Sequence, residues 1–371
     1  MSDNSENVAS NYLDRTNQIS VLLVDDCSAY RMLVRRVLSD IPDVEVVGEA
    51  ANGLDGVKMT ASLKPDLLIL DVEMPELDGI EVLAELARMK STAKAIMLSS
   101  LTEEGAEATA DALMHGAFDF IRKPVTKSME ESSRILRDAL LVKIRAFMQS
   151  VPRSVKKKNI IPQNRKADRK RSPVDAICIG SSTGGPMALK TLLTKLPPSI
   201  PVPIFIVQHM PPVFTKMLAK NLDENCELSV CEATDKMVAE AGKVYIAPGG
   251  SQMCLENEQG QVVVRVNDDP AELDVRPSVN YFFRSAAAIY GRKMLAIILT
   301  GMGCDGRDGS QLISENGGRI VAQDEKSCVV YGMPKSVVDA GIADMVAPLG
   351  EIAEEIKAVG LISSKRQAIT T

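Results

Sequence analysis

Short apolar segments alternate with longer helical segments along almost the whole chain, and this alternation is the feature that most limits its fold. In the first half, the apolar segments read ISVLLVDD, VEVVGEA, PDLLILD, AKAIMLSS and FDFIRKP. The first helical segment has apolar side chains every three to four residues, at Tyr30, Leu33, Val34, Val37, Leu38 and Ile41. Such alternation predicts βαβ units, in which parallel strands form a sheet that helices cover on both faces.

The same alternation returns in the second half of the chain. Its predicted strands are DAICIG, PIFIVQHM, KVYIAPG, MLAIILTG, GRIVAQ and ADMVAP, and its clearest helical segments are PMALKTLLTKL and PSVNYFFRSAAAIYG. A further segment, QMCLENEQGQVVVRV, has a polar turn between two alternating runs, which predicts an antiparallel hairpin at an edge. Because 371 residues exceed one average domain, we predict an α/β protein with two doubly wound parallel-sheet domains.

Composition predicts where these domains begin and end. Residues 1–18 are polar and acidic, which predicts a disordered tail rather than a signal peptide. Residues 150–172 are rich in Lys, Arg and Pro, and we interpret them as a flexible basic linker. The first domain is then expected at 19–149, the second at 173–363, and a short tail at 364–371. A solvated tether is favoured for the linker over a segment that binds acidic surfaces or nucleic acid.

The overall composition disfavours several classes of function. The formal net charge is -6, aromatic residues make up 4% of the chain, and no helix-turn-helix pattern with a basic recognition helix is found. We therefore expect no nucleic-acid partner. No apolar run approaches the ~20 residues of a membrane span, so the protein is not expected to be embedded in a membrane. The 7 cysteines form no CxxC pair, which is typical of reduced thiols in a cytoplasmic protein.

Polar and charged residues gather at the carboxyl ends of the first set of strands. Asp25 and Asp26 follow the first strand, Asp71 the third, Ser99 the fourth and Lys123 the fifth. Because ligands of doubly wound sheets bind at this edge, we expect these side chains to share one pocket. Carboxylates that lie together repel one another unless a cation sits among them, and oxygen ligands favour Mg²⁺. A lysine and a hydroxyl beside them suit the oxygens of a phosphoryl group.

The segments LLVDD, LLILDVEMPELDG, MLSS and FIRKP resemble the receiver domain of two-component response regulators, which has a flavodoxin-like fold. The resemblance implies that Asp71 accepts a phosphoryl group from a histidine kinase. It also implies that Asp25 and Asp26 hold Mg²⁺ together with the acceptor. Ser99 and Lys123 match the hydroxyl and the lysine that sense the phosphate in that family.

A glycine-rich turn follows the first strand of the second half and has two possible interpretations. The segment GSSTG fits G-x-S-x-G with Ser182 at its centre, which is typical of a nucleophile presented on a tight strand-to-helix turn. A glycine-rich turn can also cradle a phosphate with its backbone amides, although this one lacks the lysine of a P-loop. The residues at the other strand ends must decide between the two.

A histidine and a carboxylate follow two other strands of the same predicted sheet. The chain has only 2 histidines, and His115 is expected at a helix end on the surface, so His209 is the realistic partner of a nucleophile. Asp305 is preferred as the carboxylate because it alone lies on a strand-end glycine loop. The competing carboxylates are Asp268, Asp269 and Asp308. Ser182, His209 and Asp305 together would form the arrangement that nucleophilic acyl chemistry requires.

A receiver followed by IGSSTGGP, QHMPP, YIAPGG, RPSV, ILTGMGCDG and CVVYGMP resembles the chemotaxis response regulators of the CheB family, the protein-glutamate methylesterases. The resemblance implies a Rossmann-like catalytic domain with Ser182, His209 and Asp305 as its triad. It implies that the backbone amides of Thr183 and Met302 stabilise the oxyanion.

What that family does sets the expectations for substrate, partners and regulation. The resemblance implies hydrolysis of glutamate γ-methyl esters on chemoreceptors, deamidation of glutamine side chains, and phosphate supplied by the histidine kinase of the chemotaxis pathway. No cofactor is expected for the esterase reaction, and Mg²⁺ is expected only in the receiver. The unphosphorylated receiver is expected to cover the catalytic site. The alternative is a receiver joined to a non-catalytic adaptor that binds chemoreceptors.

Overall fold

The structure is a computed structural model that describes residues 18–100, 102–126, 128–150 and 173–358. The predicted tails and the predicted linker lie outside the described residues, except for Gln18 and Ser150 at their edges. The chain splits into two compact units, and each is described by itself. The domain boundaries remain predictions, although the helix that begins at Met129 runs through Ser150, one residue beyond the boundary expected from the sequence.

The first unit is a five-stranded parallel sheet with the strand order β2-β1-β3-β4-β5. This order is that of flavodoxin-like folds, so the predicted class is confirmed. Its strands are β1 (Ile19–Val24), β2 (Val44–Ala50), β3 (Leu67–Asp71), β4 (Lys94–Ser99) and β5 (Asp119–Arg122). Its helices are α1 (Ser28–Ser39), α2 (Gly53–Leu63), α3 (Gly79–Arg88) and α5 (Met129–Ser150), and α4 (Glu103–Met114) lies between β4 and β5 along the chain.

The local sequence explains why these elements form. Three residues of the predicted apolar stripe of α1 are buried in the core, namely Val34, Val37 and Leu38. Helix α3 begins with a capping box, in which Asp78 Oδ1 accepts from Glu81 N at 2.8 Å and Glu81 Oε2 accepts from Asp78 N at 2.9 Å. Every residue of β3 is buried, as expected for a central parallel strand with helices on both faces.

The second unit is built on a seven-stranded parallel sheet with the order β15-β14-β13-β6-β7-β10-β8. Its strands are β6 (Ala176–Ser181), β7 (Ile204–Gln208), β8 (Ser229–Glu232), β10 (Lys243–Ile246), β13 (Met294–Ile298), β14 (Arg319–Gln323) and β15 (Met345–Ala347). Its helices are α6 (Gly185–Leu193), α7 (Phe214–Asn225), α8 (Val279–Tyr290), α9 (Arg307–Glu315) and α10 (Met333–Asp339), and residues 349–358 are also helical. The predicted doubly wound α/β class is confirmed.

The predicted antiparallel hairpin is present, but it does not extend the parallel sheet. It consists of β11 (Gln252–Glu258) and β12 (Gln261–Asn267), which form a separate three-stranded sheet with β9 (Met237–Val238). The sequence did not predict β8 or β9. Both are short, and β8 buries only Val230, so neither has an apolar run long enough to be recognised.

The strand order determines which strand ends meet. Strand β6 lies between β13 and β7, and all three run parallel. The residues that follow these three strands therefore lie together along the carboxyl-terminal edge of the sheet. They belong to its middle strands rather than to its outer ones. Among the described residues, no helix is long and apolar enough to cross a membrane, and all 7 cysteines are free.

Candidate functional site

The first site is an acidic pocket at the carboxyl ends of β1 and β3, which are neighbours in the sheet. Ligand oxygens of Asp25, Asp26 and Asp71 lie within 4.8 Å of one another. Asp25 and Asp71 are buried, whereas Asp26 is exposed. The structure thus brings together the three carboxylates that the sequence placed on this edge.

Lys123 supplies the positive charge of this pocket. Its ammonium donates to Asp25 Oδ2 at 2.9 Å and to Asp71 Oδ2 at 2.6 Å, and it lies 4.7 Å from the ring centroid of Tyr30. Burial raises the pKa of Asp71 to about 6, and the neighbouring Asp25 charge adds to this although Lys123 opposes it. Tyr30 was predicted only as part of the apolar stripe of α1, and no sequence signal pointed to its contact with Lys123.

The residues of the pocket fit a hard divalent cation. All three candidate ligands are carboxylates, which suits Mg²⁺. The three carboxylates can also carry more negative charge than the Lys123 ammonium neutralises, so a cation is favoured there. Ser99 is buried at the end of β4, where its hydroxyl donates to the carbonyl oxygens of Ser100 and Gly105, both at 3.2 Å. A phosphoryl group on Asp71 would have to compete with these carbonyls for that hydroxyl.

The second site begins at the turn from β6 into α6. Gly184 caps α6 with a φ of 76°, in the left-handed region, and a Cβ there would lie 2.5 Å from Val329 Cβ. Gly180 packs against Val279, where a Cβ would lie 2.6 Å from its Cγ1. Gly184 of G-x-S-x-G is therefore required by the left-handed turn, and Gly180 is required by the close approach of α8. Ser182 between them is half-buried and does not itself have a positive φ.

His209 leaves the sheet beside Ser182. Ser181 of β6 is in register with Gln208 of β7, and His209 N donates to Ser181 O at 3.1 Å. His209 Nε2 is 2.8 Å from Asp305 Oδ2. In the part of the chain that the structure describes, no hydrogen bond joins Ser182 Oγ to His209. Such bonds are often long or misaligned in enzymes without substrate, so the arrangement remains compatible with a triad.

Asp305 is held as an anion at the start of α8. Besides His209, its carboxylate accepts from Val279 N at 2.7 Å, Asn280 N at 2.9 Å, Gly306 N at 2.9 Å and Ser278 Oγ at 3.0 Å. Burial alone would raise the pKa of Asp305, but the hydrogen bond and charge of His209, followed by the backbone amides, lower it below its usual value. The positive end of the helix dipole also favours a negative charge here.

The other candidates from the sequence do not reach this site. Asp268, Asp269 and Asp308 are exposed, and His209 pairs with none of them. The other histidine, His115, lies just after α4 with half of its side chain exposed, as predicted. Asp305 is therefore the carboxylate that meets the histidine.

The loop after β13 approaches Ser182 from the other side. A Cβ at Gly301 would lie 2.8 Å from Ser182 Cβ, and Gly301 N donates to Val330 O at 3.0 Å. This places Met302 next to the serine, and among described residues its backbone N–H has no acceptor. Thr183 belongs to the same turn as Ser182, and its carbonyl accepts from Thr300 Oγ1 at 3.0 Å.

Sequence reasoning missed several side chains that build this site, namely Gln208, Ser278, Asn280 and Thr300. Asn280 Oδ1 accepts from Gly306 N at 3.0 Å and Gly309 N at 2.8 Å, which ties α8 to the loop that carries Asp305. Ser278 caps α8, and a serine before an apolar helical run was the one available signal.

Comparison with known proteins identifies the family. Residues 177–356 match the family model described as CheB methylesterase, and residues 21–131 match the response regulator receiver domain. A protein-glutamate methylesterase/protein-glutamine glutaminase of Desulfotalea psychrophila is 42% identical over 359 residues, covering 91% of this chain and 97% of that protein. The protein with the same name from Thermotoga maritima is 43% identical over 340 residues, with the same coverages.

A solved crystal structure of the Thermotoga maritima CheB methylesterase catalytic domain is 44% identical, covers 51% of this chain and 100% of that chain, and has a TM-score of 0.49. The two family models match in the order receiver then methylesterase, and the relatives align with this chain over nearly their whole length. The chain therefore belongs to the protein-glutamate methylesterase/protein-glutamine glutaminase family, the receiver-containing CheB proteins.

Proposed function

We propose that this protein hydrolyses glutamate γ-methyl esters, and deamidates glutamine side chains, on chemoreceptors. The observation that carries the proposal is the pairing of His209 with the buried Asp305, beside Ser182 at the centre of the parallel sheet. The names of the relatives support the same activity, and they do not support the alternative of a non-catalytic adaptor.

The proposed reaction follows from the hydrogen-bond partners of the imidazole. Asp305 engages Nε2, which leaves Nδ1 to take the proton of Ser182 as its oxygen attacks the ester carbonyl. The resulting oxyanion would be stabilised by the backbone amides of Thr183 and Met302. His209 then gives the proton to the leaving methoxide oxygen, which departs as methanol, or to the leaving amide nitrogen, which departs as ammonia when glutamine is the substrate. Water, activated by the same imidazole, hydrolyses the acyl-enzyme and regenerates Ser182.

The proposed control of this activity is phosphorylation of Asp71 by the histidine kinase of a chemotaxis pathway. Asp25, Asp26 and Asp71 would hold Mg²⁺, which supplies positive charge for the incoming phosphoryl oxygens. Lys123 already contacts two of these carboxylates and would pair with the phosphoryl group. Because the substrate glutamates lie on the cytoplasmic part of chemoreceptors, the proposed location is the cytoplasm.

The test is methanol release from membranes that contain methylated chemoreceptors. The full chain should release methanol, and acetyl phosphate with Mg²⁺ should increase the rate. Ser182→Ala should release none above background while still binding the membranes. Receptor binding without methanol release by the wild-type chain would favour the adaptor and contradict the proposal.

A further inference from the structure

A buried side chain beside the nucleophile has no part in the proposed mechanism. Gln208 is the last residue of β7, directly before His209, and is 2% exposed. Its amide lies between the two strand ends that carry Ser182 and His209. We propose that Gln208 is a positioning residue for the oxyanion site, and this inference rests on the proposed esterase function.

The hydrogen bonds of this amide join the two strand ends. Gln208 Oε1 accepts from Ser181 Oγ at 2.6 Å, and Gln208 Nε2 donates to Ser182 O at 2.9 Å and to His209 O at 3.4 Å. The two carbonyl partners can only accept, so the NH₂ group must face them and the orientation of the amide follows. One buried side chain thus holds backbone groups of both the nucleophile and the histidine.

The missing side chain of Gly185 makes room for this amide. A Cβ on Gly185 would lie 1.9 Å from Gln208 Oε1. The second glycine after Thr183 is therefore explained by the space that Gln208 occupies. Gly185 N also donates to Ser182 O at 2.7 Å, so this carbonyl has two donors.

Fixing the carbonyl of Ser182 also fixes the amide of Thr183. The two groups belong to one planar trans peptide, in which C=O and N–H point in opposite directions. Donors on the carbonyl side therefore set the direction of Thr183 N–H, the proposed oxyanion donor. Hydrogen bonds to a peptide carbonyl also polarise the peptide and strengthen its N–H as a donor. Gln208 acts through the peptide and does not need to touch the substrate.

The test uses the full-length, phosphodonor-activated protein and two substitutions at Gln208. Gln208→Met keeps the length of the side chain and removes its hydrogen bonds. Gln208→Glu keeps an acceptor for Ser181, but its carboxyl can donate to Ser182 O only while it is protonated. Gln311→Met is the matched control, because Gln311 is an exposed glutamine on α9 that pairs with Glu315.

Gln208→Met should lower kcat for methanol release by about 10- to 100-fold, less than the loss of a whole oxyanion donor, with little change in KM. It should slow labelling of Ser182 by a sulfonyl fluoride to a similar degree, because that reaction also places negative charge on an oxygen. Relative to wild type, the Gln208→Glu activity should fall as pH rises and its carboxyl ionises. The Gln311→Met control should match wild type throughout.

A Gln208→Met protein that melts like wild type and keeps kcat within twofold would overturn the inference, as would a loss confined to KM. If Gln208→Met does not fold, the Gln208→Glu comparison decides alone, and an activity ratio that does not change with pH overturns the inference. Failure of the proposed function is a distinct result, because the wild-type chain itself would then release no methanol and show no labelling at Ser182.

Discussion

Replacing Asp305 with asparagine would keep the shape of the side chain but exchange one accepting oxygen for an NH₂ group. Both carboxylate oxygens are engaged in the structure. Oδ2 accepts from His209 Nε2 and Val279 N, and Oδ1 accepts from Ser278 Oγ, Asn280 N and Gly306 N. In either orientation of the amide, its NH₂ group would face at least two groups that now donate to the carboxylate.

Both the stability and the activity of the variant should fall. Leaving one buried backbone N–H without an acceptor costs about 1–3 kcal/mol, and losing the charge at the start of α8 costs about 0.3–2 kcal/mol more. We expect the free energy of unfolding to fall by about 1–5 kcal/mol. If His209 Nε2 accepts from the new amide, the ring proton moves to the nitrogen that should receive the proton of Ser182. A wrong tautomer of this kind lowers kcat by about 10⁴-fold in a comparable triad.

The assay combines methanol release with urea unfolding of the catalytic domain, and Asp308→Asn is the control. Asp308 lies on α9 with 66% of its side chain exposed and pairs with Arg307 at the surface. Its replacement should change stability by less than about 0.5 kcal/mol and leave kcat unchanged. A loss of less than tenfold for Asp305→Asn, or equal losses for both variants, would refute the assigned role of Asp305.

The pH dependence of stability has a definite sign. The pKa of Asp305 is lowered in the folded protein, so its carboxylate stabilises the fold above the unfolded pKa of about 3.9. This contribution is lost as pH falls through the folded pKa. The stability difference between wild type and Asp305→Asn should therefore be full near neutral pH and shrink below about pH 4. A difference that stays constant down to the lowest pH would contradict the assignment.

Three further predictions concern the nucleophile, the acceptor and the regulation. Ser182→Ala should lower methanol release by about 10⁴- to 10⁶-fold, whereas Ser181→Ala should keep measurable activity. Similar losses from both variants would show that Ser182 is not the sole nucleophile. Asp71→Asn should keep its circular dichroism spectrum and lose Mg²⁺-dependent labelling by acetyl phosphate; labelling that persists would mean that the acceptor is elsewhere. A fragment of residues 173–371 should release methanol several-fold faster than the unphosphorylated full chain, and a phosphodonor should not change its rate. A coupling of ~1–3 kcal/mol between the receiver and the catalytic domain would change the rate by roughly 5- to 150-fold. A fragment that is no faster would show that the receiver activates in another way.

The sequence by itself determined the two parallel α/β units and the residues at their functional edges. Strands Leu67–Asp71 and Ala176–Ser181 each begin with four consecutive apolar residues, and such an apolar pattern is a local property of the chain. In a parallel sheet, residues that follow strands share one edge whatever the strand order is. That rule was sufficient to place Ser182, His209 and Asp305 together before any contact was known.

Only the tertiary structure decided which groups touch. The contact of Asp305 with His209 depends on β6 lying between β7 and β13, and the bond from Gln208 to Ser182 O depends on the register of Ser181 with Gln208. The hairpin likewise pairs with β9 in a separate sheet rather than with the parallel one. Hydrophobic periodicity specifies which face of an element is buried, but it carries no information about the neighbour of that face. Strand order, register and buried polar contacts arise from packing between residues far apart in the chain.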